Sequence, residues 1–147
     1  MGDESGQSMV ELALTLPALL LVVTGLMSFG VTFNNYMILT DATAVAARQL
    51  TVSRGQTTDP CQTFANSLYA AAPLLTASNL KFTITLNGTQ YTKPSCSGSA
   101  TSGAPANMVL GTNAVVTVTY PFALGIYGLK LTTPTSVLTA QTTELMQ

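Results

Sequence analysis

The chain has 147 residues, five Lys/Arg against six Asp/Glu, no histidine and two cysteines. Charged residues are 7% of it, against about 25% in an ordinary soluble domain, and its mean hydropathy is +0.40. The length suits one domain, or a small domain with an appendage, and a hydrophobic content of 47% excludes a disordered chain. No basic patch speaks for nucleic acid. Scattered carboxylates without histidine offer neither a metal cluster nor a catalytic constellation. The bases left to an enzyme, Lys81, Lys93, Lys130 or a carboxylate, sit in no recognisable motif, so no catalytic activity, cofactor or small-molecule substrate is expected.

After Glu11 the next charged residue is Asp41. Within that gap residues 12–33, LALTLPALLLVVTGLMSFGVTF, form an apolar run. As a helix it spans about 33 Å, enough for a bilayer core. A secretory signal has a shorter apolar stretch of about 7–15 residues behind a basic start, whereas this chain begins MGDESG. A core helix so apolar is hard to bury in a domain this small. The run therefore reads as a membrane span. Pro17 inside it is expected to kink the helix or free a carbonyl. Gly25 and Gly30 are tolerated in a membrane helix and would let a second helix approach.

Glu11 stands at the edge of this run, where a carboxylate is costly and needs a partner. The charged residues near it, Asp3 and Glu4, are acidic. One candidate partner is an amino group made by cutting the chain upstream. A cut after Gly6 makes Gln7 the new N-terminus and Glu11 the fifth residue of the mature chain.

Residues 6–21, GQSMVELALTLPALLL, resemble the N-terminus of TadE-like proteins, the minor pilins or pseudopilins of tight-adherence (Tad) pilus systems, a branch of the type IV systems. Gly6, Val10, Glu11, Ala13, Leu14, Leu16 and Pro17 carry the likeness. The segment 41–48, DATAVAAR, and the later 116–122, VTVTYPF, are similar to the family in outline. The resemblance implies that a membrane prepilin peptidase cuts between Gly6 and Gln7. It also implies that Glu11 pairs with the N-terminal amine of a neighbouring pilin subunit, through helices that include Pro17. Such a pair is neutralised where water is scarce. The leader departs from the family in carrying Asp3 and Glu4 where prepilin leaders carry Lys or Arg.

Beyond the span the helix is expected to continue, giving one helix of about 45 residues. Ile38, Ala42, Val45 and Val52 are read as its apolar side, and Asp41, Arg48 and Thr51 as its polar side. The small pair Ala42 and Ala46 favours close packing, and Gly55 ends the helix. Asp59-Pro60 reads as an N-cap and first helical position. It opens a short helix with the stripe Cys61, Phe64, Ala65, Leu68 and Ala72, stopped by Pro73. Leu80, Phe82, Ile84 and Leu86 alternate with polar residues as a half-buried strand. Asn87-Gly88 is a hairpin signal, and residues 89–93 are the returning strand. Residues 94–107 read as a Ser/Gly/Ala/Pro loop. Residues 113–120 read as a strand with Val116, Val118 and Tyr120 on one face, and residues 134–144 as a Thr-rich final strand.

The expected fold is thus α+β: a long N-terminal helix, part transmembrane and part soluble, a short second helix and a small antiparallel sheet. The resemblance implies the same pilin-like plan. The expected organisation is a leader at 1–6, a transmembrane and assembly helix at 7–33, and an exported head at 34–147. Cys61 and Cys96 have neither redox-motif nor zinc spacing. They are either a disulfide or two free thiols, and an oxidising compartment beyond the membrane favours the bond.

The expected role is a structural pilin-like subunit for pilus biogenesis in adhesion or surface attachment. It would be held by a single span in the bacterial inner membrane, with its head outside the cytoplasm, or assembled into an extracellular pilus. Two other readings stay open: the main subunit of such a filament, or a membrane-anchored binding module that does not assemble.

Overall fold

A computed structural model of the chain describes residues 4–93, 103–126, 129–132 and 135–147. It is α+β. The long helix α1 is Glu4–Val52 and the short helix α2 is Pro60–Ala71. A hairpin follows, formed by β1 (Lys81–Leu86) and β2 (Thr89–Lys93), then β3 (Asn113–Pro121), the two-residue strands β4 (Gly125–Ile126) and β5 (Leu129–Lys130), and β6 (Val137–Leu145). The chain divides into two units: Met1–Phe33 with Phe122–Ser136, and Asn34–Pro121 with Val137–Gln147.

The second unit holds the core. Its sheet has the order β2-β1-β3-β6, with every neighbouring pair antiparallel. Along β1 the sides alternate as read from the sequence: Phe82, Ile84 and Leu86 are buried, Thr83 and Thr85 half-buried. On β3, Ala114, Val116 and Val118 point inward and Tyr120 is half-buried at the margin. Asn87 and Gly88 have φ of 47° and 79°. Both therefore lie in the left-handed region that a type I′ two-residue turn demands, which asparagine tolerates and glycine adopts at no steric cost.

Helix α2 begins as its sequence specifies. The Asp59 carboxylate accepts a hydrogen bond from the Gln62 N–H at 3.0 Å, and Pro60 occupies the first turn, where its missing N–H costs nothing. Cys61, Phe64, Ala65 and Leu68 are buried along one stripe, and Ala72 follows it into the core. Phe64 meets Phe82 of β1 with ring centroids 5.1 Å apart and planes at 56°.

The face that α1 presents to this core differs from the one expected. Leu39, Ala42, Thr43, Ala46, Ala47 and Leu50 are buried, a spacing of three and four that lines one side of a helix. Val45 and Val52 are instead 56% and 52% exposed, and Thr51, placed on the polar side, is 2% exposed. Ile38 is half-buried at the edge. The reason is steric. Alanines at 42, 46 and 47 let the elements packed on α1 approach the helix backbone, which a stripe of valines would hold off. The buried hydroxyls are satisfied within the helix: Thr43 donates to the Leu39 carbonyl at 2.6 Å and Thr51 to the Arg48 carbonyl at 2.9 Å. The Ser53 hydroxyl, donating to the Leu50 carbonyl at 2.8 Å, supports the helix end. Gly55, at φ 76°, turns the chain away.

Val45 on the outer side forms, with Gln49, Ser67, Ala70 and Ala71, a shallow groove between α1 and α2. It brings no charged groups together. The last strand runs from Val137 to Leu145; Pro134, its expected first residue, lies outside the described residues. Most of the expected 94–107 loop does too, its described end being a single 3-10 turn at Pro105–Asn107.

Candidate assembly helix and processing site

The residues singled out for processing and assembly lie in the first turns of α1. Gly6 and Gln7 are exposed and helical, and Glu11 and Pro17 follow on the same helix, also exposed. Gln7 and Glu11 are four residues apart, so they share a face about one turn, or roughly 6 Å, apart along the axis. Glu11 is the one charged residue in the sequence between residues 5 and 40.

The threonine hydroxyls along the run, Thr15, Thr24 and Thr32, are returned to the helix itself. The Thr15 hydroxyl lies 3.0 Å from the Glu11 carbonyl and 3.3 Å from that of Leu12. The Thr24 hydroxyl lies 2.8 Å from the Leu20 carbonyl and 3.1 Å from that of Leu21. A hydroxyl bonded in this way can enter an apolar medium with little loss, because its hydrogen bond travels with it. The Glu11 carboxylate has four lone-pair sites and cannot be satisfied so cheaply. Pro17 lies inside α1, which runs on uninterrupted through it. The proline removes the N–H that would have bonded the Ala13 carbonyl, and α1 tolerates that loss.

The apolar run makes α1 the one helix, among the described residues, long and apolar enough to cross a membrane. Its most apolar window has mean hydropathy 2.2, and none of it is buried within the chain. Leu12, Leu14, Leu19, Leu26, Met27 and Phe29 all stand exposed. A Cβ built on Gly30 would meet no atom within 4 Å, so the closest approach to this face is left open. Phe29 and Phe33, one turn apart, stack with centroids 6.2 Å apart.

One contact in this unit has no counterpart in the sequence reading. The Ser28 hydroxyl donates to the Gly125 carbonyl at 3.0 Å, tying the β4–β5 hairpin to the helix. Two strands of two residues each are too short to show a period of two. The signals available were the glycines at 125 and 128 and the apolar residues around them.

Cys61 is buried in α2. Cys96, the partner expected from the sequence, lies outside the described residues. No cluster of His, Cys, Asp or Glu able to hold a metal ion occurs among the described residues.

Comparison with known families gives these residues their context. The family model described as TadE-like protein matches residues 6–48, from the glycine before the expected cut to the end of the Ala-rich segment. That match takes in the greater part of α1. The chain thus carries a TadE-like N-terminal segment, and the TadE-like family is a structural, pilus-associated one. No curated protein and no solved structure matches the chain.

Proposed function

We propose that the chain is a pilin-like subunit, a minor pilin or pseudopilin, that serves assembly of a Tad-type pilus in adhesion. The observation that carries this reading is a coincidence on α1. The stretch matched by the TadE-like family contains the window of the chain that is apolar and entirely unburied. A helix face of that kind needs lipid or other helices around it, and an assembling subunit exchanges the one for the other. Residues 1–6 act as a leader, residues 7–33 as the span and assembly helix, and the rest as a head outside the cytoplasm. The partners are the membrane, a prepilin peptidase that cuts between Gly6 and Gln7, and the helices of other pilin subunits. The location is the bacterial inner membrane, with passage into an extracellular pilus.

Processing is tested by intact mass and N-terminal sequencing of native material. The expected mature chain begins at Gln7. Met1 or Gly2 at the terminus of assembled protein would overturn the cut. Gly6→Ala should be milder than Gly6→Leu, because a peptidase that seats glycine has little room for a branched side chain.

The head is proposed to be closed by a Cys61–Cys96 disulfide. In the chain-entropy model a loop of this length gives about 3–4 kcal/mol. Non-reducing peptide mapping is expected to find this pair linked, and quantitative labelling of both thiols without reductant would refute it.

A further inference from the structure

The four-stranded sheet of the head has two edges, β2 and β6, and they are built differently. β2 is five residues long and ends in Lys93, with Pro94 next in the chain. A short edge carrying lysine and followed by proline discourages further strands. β6 has nine residues, Val137–Leu145, and keeps an unbroken register with β3 over all of them. It contains no proline, no lysine and no bulge. Among the described residues no strand pairs with its other side.

Hydrogen bonds at its two ends show which groups of β6 point outward. At one end the Met146 N–H donates to the Thr112 carbonyl at 2.9 Å, and the Met146 carbonyl accepts from the Gly111 N–H at 3.0 Å. At the other the Ser136 carbonyl accepts from the Phe122 N–H at 3.2 Å. Residues 136 and 146 thus face the β3 side. Backbone groups of successive residues alternate in direction along a strand. Val137, Thr139, Gln141, Thr143 and Leu145 therefore direct both N–H and carbonyl away from β3. Their side chains are exposed, whereas Ala140 between them is buried against the core.

From either end this row reads aliphatic, threonine, glutamine, threonine, aliphatic. Laid antiparallel against a second copy about Gln141, it matches itself. Gln141 meets Gln141, Thr139 meets Thr143, and Val137 meets Leu145. Val137 and Leu145 are 48% and 56% exposed, and each would cover the other. Glu144, the one charge on the strand, falls opposite Leu138. The two Glu144 carboxylates then stand about 20 Å apart along the strands, beyond the screening length of about 8–10 Å.

We propose that β6 is a self-docking edge: two copies of this chain pair their β6 strands antiparallel about Gln141 and join two four-stranded sheets into one. The occupant is a second copy because the outward row is its own complement and its charges stay apart. The outward backbone groups give up to about ten hydrogen bonds, and the exposed side chains fix the register. The twofold is normal to the sheet, so the two heads run in opposite directions within it. So small a contact makes a reversible dimer. The inference concerns the head and does not depend on α1 crossing a membrane.

The full chain in detergent is followed by sedimentation velocity over a concentration series, with a monomer–dimer equilibrium expected. Gln141→Lys sets two like charges opposite each other at the twofold, and Gln141→Glu does the same with the other sign. Each alone is expected to weaken the dimer about fivefold or more, and an equal mixture of the two to restore it. Gln141→Pro removes an outward N–H and no bond to β3, so the head stays folded by circular dichroism while the dimer weakens about tenfold or more. Register is read from introduced cysteines, since the Cα atoms of a hydrogen-bonded pair lie about 5.5 Å apart, within reach of a disulfide. Peptide maps should show Gln141→Cys linked to itself, and Thr139→Cys linked to Thr143→Cys on mixing. Gln90→Cys, exposed on β2, should give no such link. A dimer that survives Gln141→Lys and Gln141→Pro, without a 141–141 link, lies elsewhere, as on α1, and overturns the proposal. A chain that stays monomeric across the series overturns it as well, and leaves the edge to a strand of another protein.

Discussion

Glu11→Ala is expected to leave the head folded and the Gly6–Gln7 cut in place, while incorporation of the chain into a filament falls by about two orders of magnitude or more. The carboxylate is exposed and belongs to the unit that does not hold the core, so its removal takes no contact from Leu39, Leu50 or Phe64. In a bilayer it reaches interfacial water, which makes its cost there modest. In a filament the same group is surrounded by apolar helices and must meet a positive charge, and the proposed partner is the amine of Gln7 on an adjacent subunit. Truncating one member leaves the other buried and unpaired, a loss of about 3–5 kcal/mol. At about 1.4 kcal/mol per tenfold, that is a hundredfold or more in the docking equilibrium. The measurement is to confirm insertion and cleavage of Glu11→Ala, then count its copies in purified fibres. Wild-type incorporation would take the assembly role from Glu11 and favour an anchored module that never polymerises.

The second large effect belongs to the head. Phe64→Ala is expected to destabilise the folded head by about 3–5 kcal/mol, the range for emptying a buried aromatic site. Phe64 is fully buried, and its ring leans on Phe82, joining α2 to the sheet. Such a tilted pair adds about 0.5–1.5 kcal/mol beyond the area it buries. Alanine therefore loses both the burial and the bridge between two elements. The control is Phe33→Ala. Phe33 is also an aromatic on a helix, but it is exposed and its ring stacks on Phe29 of the same helix. Its loss should stay within about 0.5 kcal/mol, as for other surface substitutions. Denaturant unfolding of the full oxidised chain in detergent, followed by near-ultraviolet circular dichroism, distinguishes the two. Equal losses from both variants would show that the head's stability does not depend on the α2–sheet contact.

Much of the architecture was legible because it is set locally. The alternation of Phe82, Ile84 and Leu86, the Asn87-Gly88 turn and the Asp59-Pro60 start each encode their geometry within a few residues. The structure reproduces all three. The apolar run was legible for a different reason: a charge-free stretch of that length has few places to go. The buried side of α1 was less legible. Valines at 45 and 52 outrank alanines in hydrophobicity, yet the alanines face the core, because the distance between α1 and its partners decides which side fits.

Sequence by itself determined the two helices, the strands of the four-stranded sheet, and the apolar run that lies within the TadE-like match. These depend on side-chain periodicity, turn chemistry and charge, all of which act over short stretches of chain. Only the tertiary structure decided the order β2-β1-β3-β6, the alanine face of α1 and the hydrogen bond from Ser28 to Gly125. Ser28 and Gly125 stand 97 residues apart in the chain. No local preference of either residue specifies their meeting, which follows from how the chain is led out of the sheet after β3 and back into β6.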